Sequence, residues 1–280
     1  MDITENAYAK INLYLDVIRR RQDGFHDIES IMHTVSLCDT IRLCSSPAEE
    51  GSIHINSNVA DIPNGESNLI YKSALKYIQK FDITDDITIE LTKVIPVGAG
   101  LGGGSADAAA TLRAMNKIYG FATSDQLLEI GAEIGSDVPF CINGGCAACT
   151  GRGEQISALT FDNAARNVVV AIGEERISTP SAYALLDDRY GDFSGRKTVF
   201  PLDDMQNIPI GYNIFESVID LEEIQAIKKK MIDNNAECTL MSGSGPSVFC
   251  LLDDEITSLK VKEELENAGF LAFACKLTEG

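Results

Sequence analysis

A glycine-rich segment between a predicted strand and a predicted helix constrains this sequence more than any other feature. Five of the seven residues from Gly98 to Gly104 are glycine. Each glycine inside a helix costs about 1 kcal/mol relative to alanine, mainly because the backbone loses more conformational entropy. Such a cluster therefore indicates a backbone arrangement that a Cβ would block. At the start of a helix the usual reason is a bound anion, commonly a phosphate.

The residues on either side of the glycines predict regular structure. Residues 86–94 alternate between apolar and polar, which is typical of a half-buried strand, and Pro96 ends the pairing of that strand. Residues 105–119 are rich in alanine and place their larger apolar side chains at helical spacing. We expect this helix to carry Asp107 in its first turn and to stop at Gly120.

Three kinds of phosphate-binding loop compete for this segment. A Walker A loop requires a lysine before its final Ser or Thr, but Gly104 is followed directly by Ser105. A dinucleotide-binding loop requires a strand after the helix, whereas residues 124–134 predict a second helix with Ser124 as its cap. We therefore expect a third kind of loop that binds phosphate and opens a helix. A flexible linker is disfavoured because Pro96 and the alanine-rich helix frame the glycines.

Composition excludes several classes of protein. The chain has 280 residues, of which 45% are hydrophobic, enough for one large or two smaller globular domains. Its net charge of −19 argues against a nucleic-acid partner, which requires a basic surface. No apolar run is long enough for a membrane span, and the first residues lack the pattern of a signal peptide. We expect a cytoplasmic protein, a monomer or homodimer, with one domain over residues 1–158 and another over 159–280.

The cysteines and histidines give no clear metal site. Cys141, Cys146 and Cys149 have the spacing of the first three ligands of a plant-type iron–sulfur loop, but the next cysteine is Cys238, far downstream. We instead interpret residues 140–149 as a buried strand–turn–strand. Eight cysteines in a chain of this length do not indicate a disulfide scaffold. The three histidines lie in no zinc-binding motif, which argues against a zinc hydrolase.

Two predicted strands near the start carry polar or aromatic residues that allow two interpretations. Residues 7–17 alternate cleanly and place Lys10 and Asn12 on one face. That face is either exposed to solvent or arranged to grip a phosphate and a hydroxyl group. Phe25 and His26 open the next extended stretch, where they either form an ordinary strand edge or stack on and hydrogen-bond a planar ring.

The later elements follow from similar patterns. Asp137, just before Val138-Pro139, is expected in a bend, where aspartate usually acts as a turn or cap residue. Residues 187–209 are rich in Asp, Gly and Pro and are expected to be irregular. The remaining predictions are a helix over 68–81, a strand over 168–172, a helix that begins near Pro180, a helix over 215–234, a strand–glycine turn–strand over 239–252, a helix over 257–267 and a strand over 270–276.

Three motifs in this order resemble the GHMP kinase superfamily of small-molecule kinases. They are Ala9-Lys10-Ile11-Asn12-Leu13, the loop from Pro96 to Ser105, and Met241-Ser242-Gly243-Ser244-Gly245-Pro246. Further matches make the chain most similar to the members that phosphorylate a cytidine diphosphate-linked polyol: Asp23-Gly24-Phe25-His26, Gly135-Ser136-Asp137-Val138-Pro139, and Pro180 with Tyr183. The resemblance runs from residue 7 to about residue 252, most of the chain.

The resemblance implies a fold and an activity. The fold would be α+β, with an N-terminal α/β domain that carries the ATP loop and a C-terminal α+β domain. The activity would be direct in-line transfer of a phosphoryl group from ATP to the 2-hydroxyl of the polyol, in the non-mevalonate route to isoprenoid and terpenoid precursors. Magnesium (Mg2+) is expected to arrive with ATP, and no residue is predicted as a metal ligand.

The resemblance also assigns roles to individual residues. Asp137 would be the base that faces the acceptor hydroxyl, and Lys10 its cationic neighbour. The predicted ATP-binding residues are Asn68, Lys93, Ile95, Pro96, Val97, Gly98, Ala99, Gly100, Leu101, Gly102, Gly103, Gly104 and Ser105. The predicted substrate-binding residues are Asn12, Phe25, His26, Thr179 and Tyr183. Members of the family commonly have tyrosine where this chain has Phe25, which keeps the ring and loses the hydroxyl.

Two other functions remain open at this point. One is another GHMP kinase, of the homoserine or mevalonate type. Phe25, His26 and Tyr183 argue against it, since these aromatic rings suit a planar base that the smaller substrates lack. The other is a catalytically silent relative that binds a nucleotide or a partner, and the presence of both Lys10 and Asp137 argues against that.

Overall fold

The computed structural model describes residues 1–60, 62–63, 65–161, 167–194, 196 and 210–280. Contacts divide the chain into two compact units, each built from three separate segments. The first unit comprises Met1–Ala9, Cys38–Val97 and Gly102–Gly144, and the second comprises Lys10–Leu37, Gly98–Leu101 and Gly145–Gly280. Because neither unit is continuous in sequence, the domain boundary near residue 158 stays a prediction.

Two long strands, β1 (Asp2–Arg20) and β2 (His26–Ser46), contribute residues to both units. In the first unit the end of β2 pairs antiparallel with β4 (Asp86–Thr92), and β4 pairs parallel with β3 (Ile53–Ser57). The three apolar side chains of β4 are buried, and the residues between them are not. This alternation confirms the predicted strand, which ends two residues earlier than expected.

The helices of the first unit share one apolar core with these strands. They are α1 (Leu69–Phe81), α2 (Gly103–Tyr119), α3 (Ser124–Ile134) and α4 (Val138–Asn143). The alanines of α2 are buried, so the alanine-rich segment forms a core helix. It ends at Gly120 as predicted, with the cap residue in the left-handed conformation that glycine adopts readily.

Two predictions about helix starts are wrong in detail. The cap of α3 is Thr123, not Ser124: its side chain accepts a hydrogen bond from the Gln126 amide, and the Gln126 side chain accepts one in return from the Thr123 amide. This reciprocal capping box satisfies two amides that the helix cannot. Asp107 is the fifth residue of α2 and not in its first turn, because the helix begins at Gly103.

The predicted strand–turn–strand over residues 140–149 is wrong in its first half. Residues 138–143 form α4, and only the second half is a strand, β5 (Cys146–Thr150). Pro139 lies in the first turn of α4. The fixed φ of proline suits a helix start, and its missing amide costs nothing there, so the apolar run continues as a helix.

The second unit contains further pairing and a separate four-stranded sheet. The start of β2 pairs antiparallel with β5, β5 pairs with β6 (Gln155–Leu159), and β1 pairs parallel with β8 (Tyr212–Asn213). The strands of the separate sheet are β7 (Asn167–Ile172), β9 (Cys238–Met241), β10 (Val248–Leu252) and β11 (Leu271–Lys276). Their order is β11-β7-β10-β9, with every neighbouring pair antiparallel.

The helices of the second unit pack with these strands around a second apolar core. They are α5 (Thr179–Tyr190), α6 (Glu222–Asp233) and α7 (Glu255–Glu266), with a 3₁₀ helix at Ile214–Ser217. Mixed helices and strands in two sheets confirm the α+β class. In the part of the chain that the structure describes, no helix combines the length and apolar character that a membrane crossing requires.

Two predictions in this unit need correction. The single helix over 215–234 is wrong: the 3₁₀ helix ends at Ser217, and α6 starts only at Glu222, where two glutamates in the first turn complement the helix dipole. The irregular stretch over 187–209 is wrong at its start, because residues 187–190 complete α5. Residues 195 and 197–209 lie outside the described residues.

Candidate active site

In the first unit, the end of the glycine loop lies next to a buried cluster of three charged side chains. The Lys93 ammonium contacts the carboxylate of Asp39 and lies 2.7 Å from Oδ2 of Asp107. Asp39 also accepts hydrogen bonds from the amides of Val94 and Ile95, at 2.5 and 2.8 Å. One aspartate therefore fixes the backbone where the strand enters the loop, and the lysine joins it to the helix that follows.

Charge in this cluster is unevenly balanced, with two carboxylates and one ammonium. Burial raises the pKa of Asp107 to about 7, although the nearby Lys93 ammonium acts in the opposite direction. Oδ1 of Asp107 is buried without a hydrogen-bond partner. Asp39 competes for the same lysine and also favours the neutral form of Asp107.

Two residues predicted to bind the nucleotide have structural contacts. The ammonium of Lys93 lies within the charge cluster, and its side chain is almost completely buried. The Asn68 side chain caps α1 by accepting from the Ile70 amide, and it donates to the Pro63 carbonyl at 2.7 Å. Their role in binding ATP stays a prediction.

The first turn of α2 fits a phosphate group. Its cap residue, Gly102, has φ +68° and provides no side-chain hydrogen bond to the turn. The first amides of any helix lack intrahelical acceptors, and the helix dipole makes this end positive. The predicted loop residues Gly103, Gly104 and Ser105 form this turn, so their amides can bind an anion.

Asp137 lies close in the fold to this turn. It is the cap residue of α4, with helical backbone angles, and its side chain makes no capping bond to its own helix. A Cβ built on Gly135 would come within 3.9 Å of the Ser105 hydroxyl oxygen. The predicted bend before Pro139 is thus confirmed, and it packs beside the start of α2.

In the second unit, the middle of the glycine loop meets the C-terminal motif. The Ser242 hydroxyl donates to the Gly100 carbonyl at 3.0 Å, and the Ser247 amide donates to the Ala99 carbonyl at 3.3 Å. A Cβ on Gly100 would lie 2.2 Å from the Ser242 carbonyl oxygen, so only glycine fits here. The loop residue Leu101 accepts a hydrogen bond from the Lys10 amide at 2.9 Å. All three motifs of the sequence therefore meet in this unit.

Lys10 and Asn12 are buried, which excludes the interpretation that their face of the strand is exposed to solvent. Their side chains are 4% and 1% exposed. The Lys10 ammonium donates to Asn12 Oδ1 at 2.7 Å, and Asn12 Nδ2 donates to the Ser30 hydroxyl at 2.8 Å. A Cβ on Gly243 would come within 3.3 Å of the Lys10 nitrogen, so the lysine head lies next to the C-terminal motif.

An aromatic cluster surrounds His26, which is buried at the start of β2. Its ring stacks on Tyr183, with centroids 4.6 Å apart and planes 22° apart, and meets the edge of Phe193. Tyr183 also packs edge-on against Phe215. Asp187 Oδ1 lies 2.7 Å from Nε2 of His26. The structure therefore brings together two of the predicted substrate residues, His26 and Tyr183.

The remaining predicted substrate residues have other neighbours. Phe25 is half exposed, and the Arg152 guanidinium lies 5.1 Å from the centroid of its ring. The Thr179 hydroxyl lies 3.0 Å from the Ser244 hydroxyl, which joins the start of α5 to the C-terminal motif.

Sequence reasoning missed several polar residues in these clusters. Asp187 had a usable signal: Thr179, Tyr183 and Asp187 recur every four residues, which places them on one face of a helix. Asp39 and Asp107 had none, because they are far apart in sequence and come together at Lys93 only in the folded chain.

The three cysteines with iron–sulfur spacing lie on two separate elements. In the described ranges, no group of three or more His, Cys, Asp or Glu side chains is arranged to hold a metal ion. Cys141 lies on α4, whereas Cys146 and Cys149 lie on β5 and are buried. Burial raises the pKa of Cys146 to about 12, which disfavours the thiolate form that a metal ligand requires.

Comparison with known proteins gives consistent matches. Residues 68–145 match the family described as the GHMP kinases N terminal domain. The chain is 42% identical to the 4-diphosphocytidyl-2-C-methyl-D-erythritol kinase of Exiguobacterium sibiricum, over 91% of both chains. It is 40% identical to the kinase of the same name from Bacillus subtilis, over 91% of this chain and 90% of the relative. A crystal structure of 4-(cytidine 5'-diphospho)-2C-methyl-D-erythritol kinase matches with a TM-score of 0.80 and 30% identity, over 99% of this chain and 100% of that one.

Proposed function

The chain belongs to the 4-diphosphocytidyl-2-C-methyl-D-erythritol kinase family of GHMP kinases, and from this premise we propose that it phosphorylates 4-diphosphocytidyl-2-C-methyl-D-erythritol. The γ-phosphoryl group of ATP moves to the 2-hydroxyl of the substrate, which leaves ADP and the 2-phosphate. The observation that carries the proposal is the meeting of Lys10, the glycine loop and the Ser242 motif in one unit. Membership of the family makes the protein an ATP-dependent small-molecule kinase.

Phosphoryl transfer requires mainly that the protein align the reacting groups and stabilise the charge of the transition state. We propose that the amides of the glycine loop and of the first turn of α2 bind the β- and γ-phosphates. The lack of a side-chain cap at Gly102 fits this role, since an anion is then the natural partner of those amides. Magnesium would be carried in with ATP and would supply neutralisation of the phosphate charge, since Mg2+ prefers phosphate oxygens and water as ligands.

Asp137 and Lys10 supply the remaining chemistry in this proposal. The Asp137 carboxylate accepts the proton of the attacking hydroxyl. Its position in the bend that packs beside the first turn of α2 supports such a role. The Lys10 ammonium stabilises the charge that moves during transfer, and its bond to Asn12 orients it.

The cytidine end of the substrate is assigned to the second unit. His26 and Tyr183 form an aromatic wall, and Phe25 offers a half-exposed ring of the kind that stacks on a base. Thr179 lies on the same helix as Tyr183, one turn earlier. We further expect a cytoplasmic enzyme, either monomeric or homodimeric, with no nucleic-acid partner.

A kinase assay with a panel of acceptors tests the proposal. ADP release by the purified protein is measured with ATP and Mg2+ in the presence of the cytidylyl substrate, homoserine or mevalonate. We expect rapid ADP release with the cytidylyl substrate and background release with the other two. Activity on homoserine or mevalonate together with none on the cytidylyl substrate would contradict the proposal, and background ADP release with all three acceptors would point to the catalytically silent relative.

A further inference from the structure

The carboxylate of Asp187 is the hydrogen-bond partner of one nitrogen of the His26 ring. Asp187 Oδ1 lies 2.7 Å from His26 Nε2, and the His26 side chain is only 7% exposed. The other oxygen of Asp187 lies 3.4 Å from Nη1 of Arg20, whose side chain is more than half exposed. The contact with His26 is therefore both the shorter and the better shielded of the two.

The chemistry of this contact determines which ring nitrogen carries the proton. An ionised carboxylate only accepts hydrogen bonds, so His26 Nε2 must donate. In the neutral ring the other nitrogen, Nδ1, then carries a lone pair and can only accept. Among the residues that the structure describes, no hydrogen-bond donor is found for His26 Nδ1. This acceptor is consequently available to a ligand.

His33 shows the opposite arrangement in the same strand. Its Nδ1 lies 2.9 Å from the Thr34 carbonyl oxygen, which can only accept, so the proton of His33 is on Nδ1. Burial lowers the pKa of His33 and favours its neutral form. The contacts of His26 and His33, both in β2, therefore favour opposite tautomers of the neutral ring.

We propose that Asp187 is a positioning residue that holds the proton of His26 on Nε2, so that Nδ1 selects a base whose edge donates a hydrogen bond over one whose edge accepts. The proposal rests on the function proposed above, in which the second unit binds a cytidine group. Cytosine presents an amino group as donor at position 4, where uracil presents a carbonyl oxygen. A carbonyl facing the lone pair of Nδ1 would leave two acceptors opposed, with neither hydrogen-bonded.

The surrounding helix explains why the selection can be strict. Thr179, Tyr183 and Asp187 lie on one face of α5, and Tyr183 stacks on His26 at 4.6 Å. Phe193 packs against the His26 ring in an edge-on arrangement, with ring centroids 5.8 Å apart. These contacts hold the plane of the imidazole, so a ring flip that would exchange the two nitrogens is hindered. Among the described residues, the Asp187 carboxylate faces the His26 ring, and the Arg20 guanidinium faces Asp187 from the other side.

Nitrogen NMR of the ligand-free protein tests the first half of the proposal without any variant. Long-range proton–nitrogen spectra of the three histidines distinguish the two tautomers and the doubly protonated ring. At about pH 8, above the ordinary titration range of imidazole, we expect His26 with its proton on Nε2 and His33 with its proton on Nδ1. A His26 ring with its proton on Nδ1, or one that is doubly protonated, would overturn the proposal.

Asp187→Asn tests the second half, because an amide can either donate or accept and so permits both tautomers. Asp188→Asn is the matched control, since Asp188 is the next residue of α5 and is exposed. Calorimetry with CDP and UDP as probes gives the ratio of the two dissociation constants. We expect the wild type and Asp188→Asn to prefer CDP by about tenfold or more. In Asp187→Asn the ratio should fall to within about threefold, with mixed His26 tautomers in the spectrum.

The outcomes separate this proposal from the function on which it rests. If Asp187→Asn binds CDP and keeps the full preference, or if the wild type binds CDP and UDP equally, the selection by Asp187 is wrong while the kinase function stands. If the wild type binds neither nucleotide, the cytidine site itself is wrong, and selection falls with it. The NMR result on the wild type decides the role of Asp187 in fixing the tautomer even if Asp187→Asn fails to fold.

Discussion

The ammonium of Lys93 lies 2.7 Å from the carboxylate of Asp107, and this contact joins the end of β4 to helix α2 across the glycine loop. Asp39 completes the arrangement by contacting Lys93 and accepting from the two amides that enter the loop. A loop with five glycines has little stiffness of its own. Its two ends are therefore fixed by a buried ionic cluster.

Lys93→Met is expected to destabilise the protein strongly. The substitution leaves Asp39 and Asp107 buried with no cation between them, and breaking a buried ion pair in this way costs about 3–5 kcal/mol. Lys76→Met is the matched control, because Lys76 pairs with Glu133 on the surface and such a pair contributes about 0–1 kcal/mol. Urea unfolding of both variants measures the difference.

A companion variant separates lost attraction from uncompensated charge. Replacing Asp39 and Asp107 by asparagine in the Lys93→Met background removes all three charges, and much of the lost stability should return. Equal stability of Lys93→Met and Lys76→Met would contradict the importance of the cluster.

Asp107→Asn should change how stability depends on pH. Burial raises the pKa of Asp107 to about 7, whereas an unfolded aspartate titrates near about 3.9. The folded protein then holds an extra proton between roughly pH 4 and pH 7. The contribution of Asp107 to stability is fully present below this range and is lost as the pH rises through about 7.

The variant has no such group, so its unfolding free energy relative to wild type should increase between about pH 4 and pH 7. Urea unfolding at several pH values measures this difference, and the exposed Asp188→Asn provides the control. A difference that stays constant or decreases with pH would show that the pKa of Asp107 is not raised.

The pattern of the sequence predicted the elements around the site better than the contacts within it. The alternation of β4 and the helix stop at Gly120 are local signals, and both are confirmed. The strand predicted at residues 140–143 is wrong because a short apolar run fits a strand or a helix equally well, and Pro139 suits the first turn of a helix. The prediction of a single helix over 215–234 is wrong because helical spacing continues across two separate helices.

The polar partners were harder to predict, since they depend on which elements pack together. The prediction that Lys10 shares a face with Asn12 is confirmed, but the proximity of its ammonium to Gly243 joins segments that are far apart in sequence. The His26–Asp187 contact likewise joins a strand to a distant helix. The four-residue spacing of α5 could have indicated Asp187, but nothing in the sequence gives the distance to His26.

Gly100→Ala should destabilise the loop much more than Gly98→Ala. Both glycines have positive φ, +76° and +69°, where a Cβ costs about 1–2 kcal/mol. A Cβ on Gly100 would also lie 2.2 Å from the Ser242 carbonyl oxygen, whereas a Cβ on Gly98 meets nothing within 4 Å. We expect Gly100→Ala to cost about 1–3 kcal/mol more than Gly98→Ala, because the backbone must shift. Thermal unfolding of both variants measures the contrast, and equal melting temperatures would refute the close approach.

Asp137→Asn should lower the turnover number while leaving substrate binding largely intact. The proposed role of Asp137 is to take the proton of the attacking hydroxyl, and general-base catalysis of this kind contributes about 10²–10⁴-fold. Asparagine keeps the shape of the side chain and cannot accept that proton as a base. Because the Asp137 side chain makes no capping bond to α4, the substitution removes no hydrogen bond that caps that helix. Steady-state kinetics should show kcat reduced by at least about 100-fold, with KM for ATP and for the cytidylyl substrate changed by only a few fold.

Asp125→Asn, on the exposed first turn of α3, is the control and should keep normal turnover. Near-normal kcat in Asp137→Asn would exclude Asp137 as the base, whereas a large rise in KM at unchanged kcat would assign it to binding.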